Sequence, residues 1–226
     1  MSQRIKNLIE QGEHQKQDFK FEVSDSKKIA KTLSAFSNTD GGRLLLGVKD
    51  NGVIAGVRSE EEFYMIEAAA QLYCKPEVFF TSHKWKMDGK NVLEINIPKD
   101  ENRRPVLARD DAGKWLPYIR VADQNLVANQ VLLKLWQKQK QAAGVFISYS
   151  KYERILLEYL NNYKNISLSE YCKIAKVPHR KAQDILANFL VLKIIDIVIS
   201  EKQTYYRVNE NCDLQEIEEG FNHDYL

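Results

Sequence analysis

One run, Leu33 to Gly52, restricts the fold of this chain more than any other stretch: an amphipathic helix stops at Gly41-Gly42 and passes at once into a strand and a turn. Ile29, Leu33 and Phe36 recur at i, i+4 and i+7 on one helical face, and Ser26 stands where an N-cap is expected. Gly41 and Gly42 are both expected to supply the positive φ that ends the helix. Leu44 to Val48 is apolar without alternation, as in a strand covered on both faces. Asn51-Gly52 predicts a tight turn with φ > 0 at both central positions, with Val53 to Val57 as the return strand.

The flanking sequence adds strands and helices to this unit. Ile5, Leu8 and Ile9 predict a short helix that Gly12 ends, and Asp18 to Val23 a strand with Phe19 and Phe21 on one face and Asp18 and Lys20 on the other. Ser59 to Glu62 reads as a capping box for a helix burying Phe63, Ile66, Ala70 and Tyr73. Val78 to Met87 and Val92 to Ile97 form a hairpin at Asp88-Gly89, and Val106 to Arg109 and Lys114 to Val121 another around Asp110 to Gly113. Asn129 to Ala143 reads as a helix with Val131, Leu132, Leu135 and Trp136 inward, stopped by Gly144. Residues 1–144 are therefore expected to form an α+β domain with a mixed sheet.

The pattern changes over residues 145–209. Capping boxes at Ser150 to Glu153 and Ser167 to Glu170 open two helices, Val177-Pro178 makes a turn, and Pro178 to Leu192 is a third helix. Ile194 to Ile199 and Thr204 to Val208 alternate around Ser200 to Gln203, a hairpin. Three helices and a hairpin resemble the winged helix-turn-helix family, with residues 167–192 as the helix-turn-helix. The short apolar piece 145–148 suggests a packed joint rather than a tether.

Glu13, Asp18-Phe19-Lys20, Ser34 to Gly42 and Gly47-Val48-Lys49-Asp50 together resemble the Schlafen AlbA-like domain family, and Tyr118 to Val121 resembles its closing strand. That resemblance implies a mixed-sheet α+β fold. For the family's nuclease members it also implies a three-carboxylate site, here Glu13, Asp18 and Asp50, holding Mg²⁺ or Mn²⁺ to activate water against a phosphodiester of structured RNA or DNA. Asp18 stands where the family usually has Glu, a ligand shorter by about 1.5 Å against Mg²⁺ bonds of roughly 2.1 Å. The same acids have a structural reading: Asp50 precedes an Asn-Gly turn, and Glu13 and Asp18 flank a strand start. No other cofactor is implied. ATP hydrolysis is set aside, because no Gly-rich loop ends in Gly-Lys-Ser/Thr to wrap phosphates.

Charge is unevenly spread. Residues 1–145 carry 23 Lys and Arg against 19 Asp and Glu, residues 146–209 carry 10 against 6, and the tail 210–226 carries none against 6. Two mildly basic bodies with an acidic tail are compatible with a polyanion partner. In the winged segment His179, Arg180, Lys181, Gln183, Asp184 and Asn188 are expected on the outer side of the third helix. Arg180, Lys181, Gln183 and His179 are candidates to reach a major groove, with Lys202 and Arg207 on backbone phosphate. Arg103, Arg104 and Arg109 are either an extension of this basic surface or a solvated loop. Trp115 and Tyr118 read as packed sheet aromatics.

Cys74, Cys172 and Cys212 are odd in number and far apart, so neither disulfides nor zinc are suggested. No window reaches the roughly 18 apolar residues of a membrane span, and Met-Ser-Gln-Arg lacks a signal peptide's apolar core, so a cytoplasmic protein without a membrane partner is expected. The sequence thus points to a DNA-binding, regulator-like protein, DNA favoured over RNA, with a homodimer as an expectation because such regulators often pair two-fold. A divalent-metal endonuclease and a protein-binding adaptor stand as alternatives.

Overall fold

The computed structural model describes residues 2–100, 105–140 and 149–214. Arg103, Arg104, the expected stop at Gly144, the joint at 145–148 and most of the acidic tail lie outside them. The chain forms two compact units, Met1–Ala128 and Asn129–Leu226. The division falls before the helix that the sequence assigned to the first domain.

In the first unit α1 (Ser2–Glu10) is followed by β1 (Gln17–Lys20), α2 (Ser26–Asn38), β2 (Gly42–Leu46), α3 (Glu61–Leu72) and β3 (Cys74–Lys75). Then come β4 (Thr81–Met87), β5 (Lys90–Ile97), β6 (Leu107–Arg109), β7 (Trp115–Val121) and β8 (Gln124–Val127). One four-stranded sheet runs β1-β2-β5-β4, the other β3-β6-β7-β8. Among the described strands only β1 and β2 pair in parallel, which the intervening α2 crossover permits. β2 is covered on both faces as its apolar run requires: Leu44 and Leu46 enter the core with α2 and α3, while Leu45 and Val48 meet Ile5, Leu8 and Phe19.

Several local details depart from the sequence reading. Asp25, not Ser26, caps α2 by accepting from Lys27 N–H, and Ser26 Oγ instead donates to Met65 C=O. Ser59 makes no cap on α3, whose N-cap is Glu60; Glu62 accepts from Arg58 N–H. Gly41 has φ +68°, but Gly42 is already β2 and has no positive φ. Gly42 is needed for space, since a Cβ there would sit 2.4 Å from the Phe36 ring. At the following turn only Gly52 takes positive φ, with Gly52 N–H bonded to Lys49 C=O, so Asp50 and Asn51 are its central residues. Asp88 and Gly89 do both take positive φ, as the expected hairpin demands. β8 was not foreseen: its four residues carry little apolar alternation, and its turn relies on Ala122 at φ +54°.

The end of α2 is tied to the second sheet by side chains that complete strand hydrogen bonding. Asn38 Nδ2 donates to Val106 C=O and Tyr118 C=O, both at 2.8 Å, and its Oδ1 accepts from Val106 N–H at 2.7 Å. Ser34 Oγ donates to Val106 C=O and accepts from Tyr118 N–H. Thr39 Oγ1 donates to Ala35 C=O and accepts from Arg120 N–H. β6 begins just after Val106, so Asn38 supplies the rung that β6 does not.

The second unit contains α4 (Gln130–Gln139), α5 (Lys151–Asn162), α6 (Leu168–Ala175), α7 (His179–Val191), β9 (Ile195–Ile199) and β10 (Thr204–Val208). Both expected capping boxes are formed, at Ser150/Glu153 and Ser167/Glu170. α4 belongs here because Val131 and Leu135 enter the core with Leu156, Ile185 and Phe189. An amphipathic helix carries no label for which core it fills. Ile166, between α5 and α6, exchanges both backbone hydrogen bonds with Tyr206, placing the β9–β10 hairpin beside the start of α6. Lys176 at φ +48° ends α6 and turns the chain into α7.

Candidate functional site

The three expected carboxylates are not assembled. Glu13 and Asp18 lie together at the start of β1, whereas Asp50 is exposed on the turn after β2. Among the described residues, no group of three His, Cys, Asp or Glu side chains is placed to hold a metal. Burial raises the pKa of Glu13 above its ordinary value, and the adjoining Asp18 carboxylate adds to this against the Phe19 N–H that Glu13 accepts.

Asp18 is buried and already neutralised. Its Oδ1 accepts from Arg120 at 3.1 Å, and its Oδ2 lies 2.9 Å from Lys20 Nζ, without hydrogen-bond alignment. A divalent cation at these oxygens would meet a guanidinium and an ammonium at bonding distance, so this donor set does not fit a Mg²⁺ or Mn²⁺ centre. Arg120, itself 2% exposed, also donates to Gln17 C=O and to Asn125 Oδ1 and lies 5.2 Å over the Phe36 ring. It is a link between β1, α2 and β7. The sequence showed Arg120 only as part of a closing strand; an arginine inside an apolar strand facing an isolated early Asp is the signal that could have paired them.

The cationic end of α7 is the other candidate. His179, Arg180 and Lys181 are exposed in its first turn, where free backbone N–H groups favour anions. Arg180 makes no ion pair among the described residues. Lys181 Nζ lies 4.4 Å above the Tyr152 ring, a contact that positions it without cancelling its charge. The helix-turn geometry behind this end comes from the αL residue Lys176 and from Pro178, whose fixed φ of −59° starts α7.

Other positions differ from expectation. Gln183 is 8% exposed and bonded to His179 Nδ1 at 3.1 Å, so it is not displayed beside Arg180. Asp184 is paired with Lys134 of α4 at 2.6 Å, and Asn188 is half-buried. The extra helix α4 takes the place that the sequence left to solvent. On the hairpin Lys202 is exposed, but Arg207 is held by Asp196 and Glu210 at 4.0 and 3.5 Å. Arg109 is exposed with Nε donating to Gly113 C=O. Tyr118 is buried as expected; Trp115 is 37% exposed. No disulfide joins the cysteines among the described residues, and burial pushes the Cys74 thiol up to about 12. No described helix is long and apolar enough to cross a membrane.

Residues 13–129 match the family described as Schlafen, AlbA_2, and the chain belongs to that family. Among solved structures, the crystal structure of the DIP2311 protein from Corynebacterium diphtheriae is similar over 92% of this chain at 15% identity, with a TM-score of 0.46. The present chain spans only 43% of that protein's length. No curated protein matches the sequence.

Proposed function

We propose that this protein binds duplex nucleic acid, DNA in preference to RNA, through the N-terminal end of α7 in a winged helix-turn-helix unit, as a transcription regulator does. The observation that carries the reading is the exposed His179, Arg180 and Lys181 at one helix end, free of carboxylate partners among the described residues. The β9–β10 hairpin with Lys202 supports it as a wing, and Ile166 pairing with Tyr206 matches a wing anchored to the helices. Family membership points the same way, towards nucleic acid in general. DNA is preferred because a helix enters the wide major groove of B-form duplex, whereas the A-form groove of RNA is too narrow for it. Two-fold pairing of the chain belongs to the same reading, since half-sites on DNA mirror a dimer.

The test is a salt titration of labelled duplex DNA and hairpin RNA, each with and without Mn²⁺, on wild type and on a variant carrying Arg180→Ala with Lys181→Ala. The expected outcome is tighter retention of the DNA, insensitive to Mn²⁺. The variant should show a log–log salt slope shallower by about 0.9 for each phosphate it no longer engages. Equal slopes in the two proteins would move the interface away from α7. A monomer's mass on the bound duplex in light scattering would remove the dimer.

A further inference from the structure

In the first sheet, register aligns Arg43 of β2, Asn96 of β5 and Thr81 of β4 side by side on one face. α1 covers that same face only further along, where Ile5 and Leu8 pack on Phe19, Leu45, Trp85 and Val92. The remainder, uncovered among the described residues, is a cleft of about 410 Å³, lined by Lys16, Arg43, Thr81 and Asn96 with Phe79 and Phe80 at its side. That volume lies within the range of small-ligand sites.

Its chemistry is selective. Phe79 is 77% exposed, the only exposed phenylalanine among the described residues, while its neighbour Phe80 turns inward to meet Phe63 edge-on at 6.2 Å. Lys16 and Arg43, on adjoining chain segments joined by an Arg43 N–H to Lys16 C=O bond, make no ion pair among the described residues. Among the described residues, no carboxylate lines the cleft. The acid further along this face, Glu94, is buried and held by Trp85 Nε1 at 2.8 Å and Arg4 at 3.3 Å. An open aromatic face, two uncommitted cations and two neutral hydrogen-bonding side chains suit a flat heterocycle attached to phosphate.

We infer that this cleft holds an unpaired nucleotide of a nucleic-acid strand, its base stacked on Phe79, its phosphates against Lys16 and Arg43, and Asn96 and Thr81 offering hydrogen bonds. The choice of a strand over a free nucleotide rests on the nucleic-acid reading above; the cleft itself is independent of α7. Opening of a duplex, or a flanking single strand, would bring such a nucleotide to the first unit.

The experiment measures binding of fluorescein-labelled dT12 to the full chain by anisotropy, with thymidine monophosphate as competitor. Phe79→Ala should weaken dT12 binding about tenfold, as removal of one stacking platform does, and leave duplex retention unchanged. Arg43→Gln should make the salt slope shallower by about 0.7, the single-strand value for one phosphate. Phe79→Trp should keep the affinity and show tryptophan quenching on binding beyond that of the wild type. Unchanged dT12 affinity in Phe79→Ala overturns the proposal, as does thymidine monophosphate competing as tightly as the strand. Because Phe79 is exposed, its removal spares the fold. Duplex retention, which depends on Arg180 and Lys181, fails or holds separately.

Discussion

The end of α2 and the start of α7 are both rich in polar side chains, yet they use them in opposite ways. At the end of α2, Ser34, Asn38 and Thr39 spend their donors and acceptors on the backbone of Val106, Tyr118 and Arg120. At the start of α7, Arg180 and Lys181 stand exposed without a carboxylate partner among the described residues. The motif that identifies the family is therefore a device for joining a helix to a sheet. The less distinctive stretch retains the unspent charge. A polar residue fully satisfied within the fold has little left to offer a ligand, whereas an exposed and unpaired cation does.

Stability measurements can break this contrast, and the largest effect is expected at Arg120. Arg120→Ala leaves Asp18 buried without its guanidinium and should cost about 3–5 kcal/mol in urea unfolding. Arg180→Ala should stay within about 0.5 kcal/mol of wild type, as exposed substitutions do. Similar losses at both positions would erase the distinction. Asn38→Ala comes next, at about 2–4 kcal/mol, because it strands Val106 N–H and deprives two carbonyls of a donor. Faster hydrogen exchange at Val106 N–H would sharpen the assignment, and unaltered exchange would argue against it.

The smallest effect concerns Glu13, and its signature is in pH. Its folded pKa is raised above the ordinary 4.5, chiefly by burial, so the native state holds that proton to higher pH than the unfolded chain. This group's contribution to stability therefore falls as pH rises from about 4.5, and the cost is complete above the folded pKa. Glu13→Gln keeps an acceptor for Phe19 N–H and removes that cost. The variant should gain on wild type in thermal melts at pH 7 and not at pH 4, by less than either loss above. An equal difference at both pH values would mean that Glu13 is not held in this environment.

Much of the architecture was legible because it depends on local rules. The two-sided burial of β2, the hairpins at Asp88-Gly89 and Asp110 to Gly113, and both capping boxes of the second unit follow from patterns a few residues long. Where two neighbours could serve, the reading was less secure. Asp25 rather than Ser26 caps α2, and Gly42 is required by the Phe36 ring rather than by its own φ. The grouping of Glu13, Asp18 and Asp50 was what the family resemblance implied, and the fold brings only the first two together.

Composition and periodicity by themselves determined the helices, most strands, an α+β first part and a cationic start to α7, since each is set by neighbours along the chain. Only the tertiary structure decided that Arg120 neutralises Asp18, that α4 joins the second unit's core, that Gln183 turns to His179, and that Phe79 stands open beside Arg43. Those outcomes depend on contacts between residues as many as 102 positions apart. Long-range partnership is fixed by competition among all surfaces for burial and hydrogen bonds, which no local pattern records.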